Sequence, residues 1–434
     1  MTPLRRLGTW IRSTPLFVGL PTEVVVLSSV AFCVALGFGI VGPAIPIFAD
    51  EFGVSAFWAS AVVSVFAAMR LIGALPAGWL VDRTGERVTL ATGLTIVAVS
   101  SAFAGFSTSY VQLLVLRGIG GLGSAMFTVS ALALLLRTVG PEQRGRASSA
   151  FQGGFLLGGV AGPAVGGIVL GISIRLPFFV YAATLGAAVL VVVTMLARAE
   201  LRERPEPGAV AVETVETRPW WSYLGEALRN RAYVTALAVN LGNSFASFGL
   251  RSALVPLFVV NSLHLDKAWA GYGALASAAV QAPLLVRAGR TADTRGRRIA
   301  LMLGTSITTV GFLALALTGS LWAYLAAMGV LGAGAAFLGA GPAAVVGDIT
   351  HGRREGPVVA TFQMMSDVGA IAGPLIAGAI VVRTGSYETG FLVGVGVLLV
   401  TFAMAATMPE TLRRAVVVET SAPGEGGTGQ TAAS

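Results

Sequence analysis

One cysteine, one lysine and two histidines occur among 434 residues. The lone Cys33 excludes an intramolecular disulfide, and its place inside an apolar run marks it as a packing residue. His264 and His351 lie in loops far apart in sequence, so neither a histidine metal site nor histidine-based catalysis is supported. No metal and no cofactor are expected. Charge is scarce as well: Asp, Glu, Lys and Arg make up 12% of the chain, against about 25% for a soluble protein whose surface must meet water. That deficit excludes an ordinary soluble domain. No stretch reads as a removable signal peptide, since the first hydrophobic run is long and more follow it.

Apolar residues fill the gap, at 55% of the chain with a mean hydropathy of +0.80. They fall in runs of roughly twenty, the length that crosses a bilayer core. Twelve spans are predicted, at 23–48, 56–81, 88–107, 111–136, 148–172, 177–197, 232–260, 268–286, 299–317, 320–346, 357–381 and 388–408. The expected fold is an all-α integral membrane protein. Its organisation reads as a cytoplasmic segment 1–22, a six-helix bundle 23–198, a polar linker 199–231, a second bundle 232–408 and a disordered tail 409–434. The end of the linker, with Trp220, Trp221, Tyr223 and Leu224, suits a helix on the membrane surface.

A net charge of +8 and a pI near 10.3 raise the question of nucleic acid. Placement answers it. Of 29 Lys and Arg residues, Arg70, Arg117 and Arg251 fall within spans, and only Arg175, Lys267 and Arg383 fall in loops on the outer side. The rest sit on one face, as the positive-inside rule requires, with both termini cytoplasmic. The basic charge reports topology, and no nucleic acid partner is expected. The preference for Arg over Lys suggests a GC-rich bacterial genome and hence the bacterial inner (plasma) membrane.

A shift of 211 residues superimposes separate features of the two halves. Gly78, Asp82, Gly85 and Arg87 fall on Gly289, Asp293, Gly296 and Arg298. Gly121 and Gly123 fall on Gly332 and Gly334, and Phe151-Gln152 on Phe362-Gln363. Gly158, Gly162, Pro163 and Gly167 fall on Gly369, Gly373, Pro374 and Gly378. Six spans separate the copies, so both run in the same direction through the membrane as parallel repeats.

These residues carry a family likeness. Gly78-Trp-Leu-Val-Asp82-Arg83-Thr-Gly85-Glu86-Arg87 resembles the signature between helices 2 and 3 of the major facilitator superfamily, echoed at Gly289–Arg298 with Asp293, Gly296 and Arg297. Arg117-Gly-Ile-Gly-Gly121 resembles its helix 4 motif, and Gly158–Gly167, with Gly162 and Pro163, the helix 5 motif associated with drug–proton antiporters. The resemblance covers nearly the whole chain. It implies two six-helix bundles that alternate access to a central site, with helices 2 and 11 facing each other. Gly78 and Gly289 are expected to allow close helix contact, and Gly85 and Gly296 a tight turn. Asp82 and Asp293 can pair with neighbouring Arg or face a helix N-terminus, as a charge latch; Glu86 stands where the family carries a base, which weakens the first latch. Small residues at four-residue spacing around Pro163 suit a rocking interface between the halves. The match of Gly118, Gly120 and Gly123 to a dinucleotide-binding pattern is rejected, because it lies inside an apolar span without a preceding strand.

Arg70, Arg117, Arg251 and Asp367 lie deep in spans, where each costs about 2.5–3.5 kcal/mol at a bilayer centre and so needs a cavity or a partner. None is matched by a charge in the other half. Arg70 lies roughly 18 Å from the Asp82 end of its helix, and Asp367 roughly 16 Å along helix 11 from Gly356. On the implied fold the two approach at mid-membrane, with Arg117 nearby, and a carboxylate that pairs in one state and protonates in another would couple protons to transport. Arg251, Asn240, Asn243, Gln152, Gln281 and Gln363 are candidate cavity polar groups; Phe38, Phe127, Phe248 and Phe362 are candidate apolar walls.

The expected function is proton-coupled export of a small amphipathic molecule by a monomer in the lipid bilayer. An uptake symporter or facilitator on the same fold is the alternative, and a transporter-like sensor a more distant one. An enzyme is not expected, since only one acid, Asp367, lies deep enough to serve. Three buried Arg against one Asp favour neutral or anionic cargo over lipophilic cations.

Overall fold

The computed structural model describes residues 19–140, 143–196, 220–350 and 356–412. Twelve of its helices are long and apolar enough to cross a membrane. In chain order they are α1 (Thr22–Asp50), α2 (Ala56–Thr84), α3 (Glu86–Gly105), α4 (Tyr110–Thr138), α5 (Arg144–Ile172), α6 (Leu176–Thr194), α7 (Arg231–Asn261), α8 (Ala268–Thr294), α9 (Arg297–Ala316), α10 (Leu321–Thr350), α11 (Gly356–Thr384) and α12 (Tyr387–Ala406). The predicted spans are recovered with shifted ends. Helix α8 runs eight residues past its expected end at 286, through Arg287 and Arg290. Hydropathy marks where the chain leaves lipid, whereas the hydrogen-bond ladder continues until something breaks it. A separate helix, Trp220–Arg229, stands where a surface helix was expected. The expected N-terminal segment, linker and tail fall largely outside the described residues.

Local chemistry sets the ends. Gly85 and Gly296, at φ +86° and +124°, turn α2 into α3 and α8 into α9, a backbone region that side chains with a Cβ avoid. Ser109 caps α4 by accepting from the amide of Gln112 at 3.3 Å, and Ser386 caps α12 by accepting from Thr389 at 3.2 Å. Three helices depart from α geometry, α6 among them, whose end from Val192 is π-helical. Helix α1 breaks at Gly42-Pro43, and α7 runs as a π-helix over Phe245–Leu254.

Helix neighbours repeat from one half to the other. α1 packs on α5 and α6, α2 on α4, and α3 on α4 and α6; α7 packs on α11 and α12, α8 on α10, and α9 on α10 and α12. The halves meet chiefly along α2–α11 and α5–α8. Leu75, Ile172, Leu317 and Trp322 are each more than 70% exposed, a surface suited to lipid.

Candidate functional site

Between the halves lies a cavity of about 1510 Å³, walled by α1, α2, α4 and α5 on one side and α7, α8 and α11 on the other. It runs to the end of the molecule that carries the loop signatures, where its lining residues Leu132, Leu136, Val359 and Met364 are exposed. The opposite end is closed. There an added Cβ at Gly167 of α5 would meet the carbonyl oxygen of Gly271 in α8 at 2.6 Å, and one at Gly378 of α11 would meet Phe57 Cα of α2 at 2.8 Å. Polar contacts rim this seam. Asn261 donates to Asp50 Oδ2 and Tyr387 Oη, both at 3.1 Å, and Lys267 Nζ stands 3.5 Å from Glu51.

Deep in the cavity the Nη2 of Arg70, on α2, donates to Oδ1 of Asp367, on α11. Asp367 is 6% exposed. Toward the closed end, Ser64 Oγ donates to the Ile371 carbonyl at 2.8 Å, so two polar cross-half contacts tie these helices among the described residues. Arg117 is 2% exposed, with its guanidinium carbon 4.5 Å over the Phe66 ring and no hydrogen-bond partner for Nε among the described residues. Phe66 and Phe38 lie 5.8 Å apart and Phe38 and Phe248 6.0 Å apart, an aromatic band crossing from one half to the other. Arg251, Gln152, Gln281, Gln363 and Phe127 also line the cavity.

Three of the expected cavity residues, two polar and one apolar, do not line this cavity. Asn240 donates to the Phe362 carbonyl at 2.8 Å, closing α7 onto α11. Phe362 packs against the cluster around Tyr233 and Val358, at the signature end of the second half. Asn243 lines a smaller pocket with Thr308 and Phe312, which Arg251 also borders. The amide that seemed free to meet cargo is taken up by a neighbouring helix. The π-helical run that carries Phe248 and Arg251 left no sequence signal beyond an arginine within a span.

The glycine stripe of α5 also requires correction. A Cβ on Gly166 would press on Ile40 of α1 at 2.8 Å, and Gly158 and Gly162 face α1 in the same way, within one half. Gly167, about a quarter-turn around the helix, and Gly171 one turn later meet α8 of the other half. Pro163 lies against Gly39 of α1. Four-residue spacing keeps a face turned to one neighbour, and that neighbour is α1. Among the described residues no atom lies within 4 Å of an added Cβ on Gly78 or Gly289, so they do not show the close helix contact expected there.

The loop signatures are built differently in the two halves. In the second, Arg297 donates to Asp293 at 2.6 Å and to Asp348 at 3.0 Å, while Glu410 accepts the backbone amides of Arg297 and Arg298 at the start of α9. In the first, no hydrogen bond or ion pair reaches Asp82 among the described residues, and Arg83 stacks on Trp79 at 3.9 Å. The tie there is Glu86, held by Arg137 at 2.8 and 3.1 Å. Shifted by the repeat, Glu86 falls on Arg297 and Arg137 on Asp348. Both halves therefore pin their third helix to their fourth at one place, with the charges exchanged.

The family model of the Major Facilitator Superfamily matches residues 27–286 and 236–426. Multidrug resistance protein 1 of Bacillus subtilis is 32% identical over 169 residues, 38% of this chain and 42% of that protein. The class H tetracycline resistance protein of Pasteurella multocida is 26% identical over 387 residues, 87% of this chain and 93% of that protein. Among solved structures, a bacterial homologue of the human lysosomal transporter Spinster, inward-facing and unoccupied, superimposes with a TM-score of 0.72. It covers 88% of this chain and 95% of its own at 17% identity, a likeness of fold.

Proposed function

Since the chain belongs to the Major Facilitator Superfamily, we propose that it exports a small amphipathic molecule across the bacterial plasma membrane in exchange for protons. The observation that carries this reading is the Arg70–Asp367 ion pair, which spans the two halves at the wall of the cavity. Protonating Asp367 removes the charge that holds Arg70, and α2 and α11 lose one of their two polar cross-half contacts. Deprotonation restores it. A carboxylate whose pairing differs between two conformations binds its proton more tightly in one of them, which is what coupling requires.

The topology supports the direction. With the Arg-rich loops and both termini in the cytoplasm, the cavity opens inward and the glycine seam closes the outer end. Cargo then enters from the cytoplasm, and rocking of bundle 23–198 against bundle 232–408 releases it outside. The resistance proteins of Bacillus subtilis and Pasteurella multocida among its relatives favour export over uptake. The alternative, a proton-coupled uptake symporter or facilitator, places the same residues in the service of the opposite flux.

The test is flux in everted membrane vesicles under an imposed pH gradient. Asp367→Asn should abolish proton-driven accumulation, by at least tenfold, while leaving movement down the cargo's own gradient. Wild-type accumulation in Asp367→Asn would remove Asp367 from coupling, and accumulation only with the gradient reversed would select the uptake reading.

A further inference from the structure

The Arg70–Asp367 pair neutralises itself, and this leaves Arg117 and Arg251 lining the cavity with no carboxylate partner among the described residues. They come from opposite halves, α4 and α7. The band Phe66–Phe38–Phe248 lines the same cavity, with Phe66 under Arg117 and Phe248 three residues before Arg251 on α7. Arg117 is almost wholly buried, and its Nε has no acceptor among the described residues.

We infer that the cargo is an anionic amphiphile, whose oxyanion group engages Arg117 or Arg251 and whose apolar body lies on the phenylalanine band. This rests on reading the cavity as the transport site. A guanidinium in a water-poor wall is a strong donor fork for carboxylate, sulfonate or phosphate oxygens. A lipophilic cation meets two positive charges there, and the one acid that could receive it is already held by Arg70. A neutral molecule gains the aromatic contact but leaves the buried Arg117 donor unmet.

Two probes with the same ring system separate these cases: anilinonaphthalenesulfonate, an anion, and phenylnaphthylamine, its uncharged counterpart, with ethidium as the cation. Equilibrium binding to the full chain in nanodiscs, corrected with empty nanodiscs, should give the sulfonate a Kd at least tenfold below that of phenylnaphthylamine. Arg251→Gln should shrink that ratio by roughly tenfold, the worth of one charge-assisted interaction. Arg117→Gln should do the same, with Arg117→Lys intermediate; if Arg117→Gln fails to fold on circular dichroism, Arg251→Gln decides alone. Equal affinities in the wild type, tighter ethidium, or a ratio unmoved by the folded variants would overturn the inference. Proteoliposome flux of the same probes keeps the two readings apart. Flux of ethidium or phenylnaphthylamine without sulfonate preference sinks the anion site and leaves transport standing. Arg-dependent sulfonate binding with no flux of any probe does the reverse.

Discussion

Replacing Gly167 by alanine should change which end of the cavity is closed. An added Cβ would lie 2.6 Å from the Gly271 carbonyl oxygen, where ordinary contact begins near 3.4 Å. The partner is backbone, so the relief must come from α5 and α8 moving apart by nearly 1 Å. Overpacking of this kind costs about 1–3 kcal/mol. Alanine also favours a helix over glycine by about 1 kcal/mol, but it does so in both conformations and cancels from their ratio. What remains disfavours the conformation with this end sealed, by roughly 5–150-fold. Pulsed electron paramagnetic resonance would read the shift, with spin labels on Glu51→Cys and Lys267→Cys, which flank the seam, in a Cys33→Ser background. Gly186→Ala is the control, because no atom lies within 4 Å of a Cβ there and the residue is exposed on α6. A longer-distance population should grow at least fivefold in Gly167→Ala and stay put in Gly186→Ala. Identical distance distributions would refute the claim that the glycine contact holds the seam.

Three further outcomes follow from the geometry. Glu86→Arg should destabilise by about 0.5 kcal/mol, since Arg137 is largely exposed, and Glu86→Arg with Arg137→Glu should recover the loss in a thermal-melt double-mutant cycle. Gly85→Ala forces a Cβ into the left-handed region and should lower stability by about 1–2 kcal/mol, read as a drop in Tm that Gly78→Ala does not share. Asn240→Ala loses its bond to the Phe362 carbonyl and should cost about 1 kcal/mol of stability with cargo affinity unchanged.

Much of the fold was legible because a bilayer imposes a length, and a repeat confirms it twice. The meeting of Arg70 and Asp367 could be anticipated because constant helix rise gives both depths and the family resemblance implies that helices 2 and 11 face each other. Azimuth is harder. The spacing of Gly158, Gly162 and Gly166 defines a face without saying which helix it faces, and that face belongs to α1. Asn240 misled for a related reason: composition shows that an amide needs a partner, and the partner was a backbone oxygen on α11. The π-helical turn at Phe245–Leu254 depends on tertiary packing and has no periodic mark. The Glu86–Arg137 tie was within reach of the repeat offset, which sets Arg137 against Asp348, but only the cross-hairpin contact shows that the two substitutions belong together.

That exchange of charge has a consequence for how the chain is made. Two homologous hairpins enter the same bilayer in succession, and each third helix meets two similar candidates for its fourth. A hairpin assembled from α3 and α10 would set Glu86 against Asp348, and one from α9 and α4 would set Arg297 against Arg137. Both mismatched pairings bring like charges together, while both correct ones bring opposites. The reversed polarity, written in two residues per half, therefore sets a like-charge contact against each mismatched hairpin and an ion pair in each correct one.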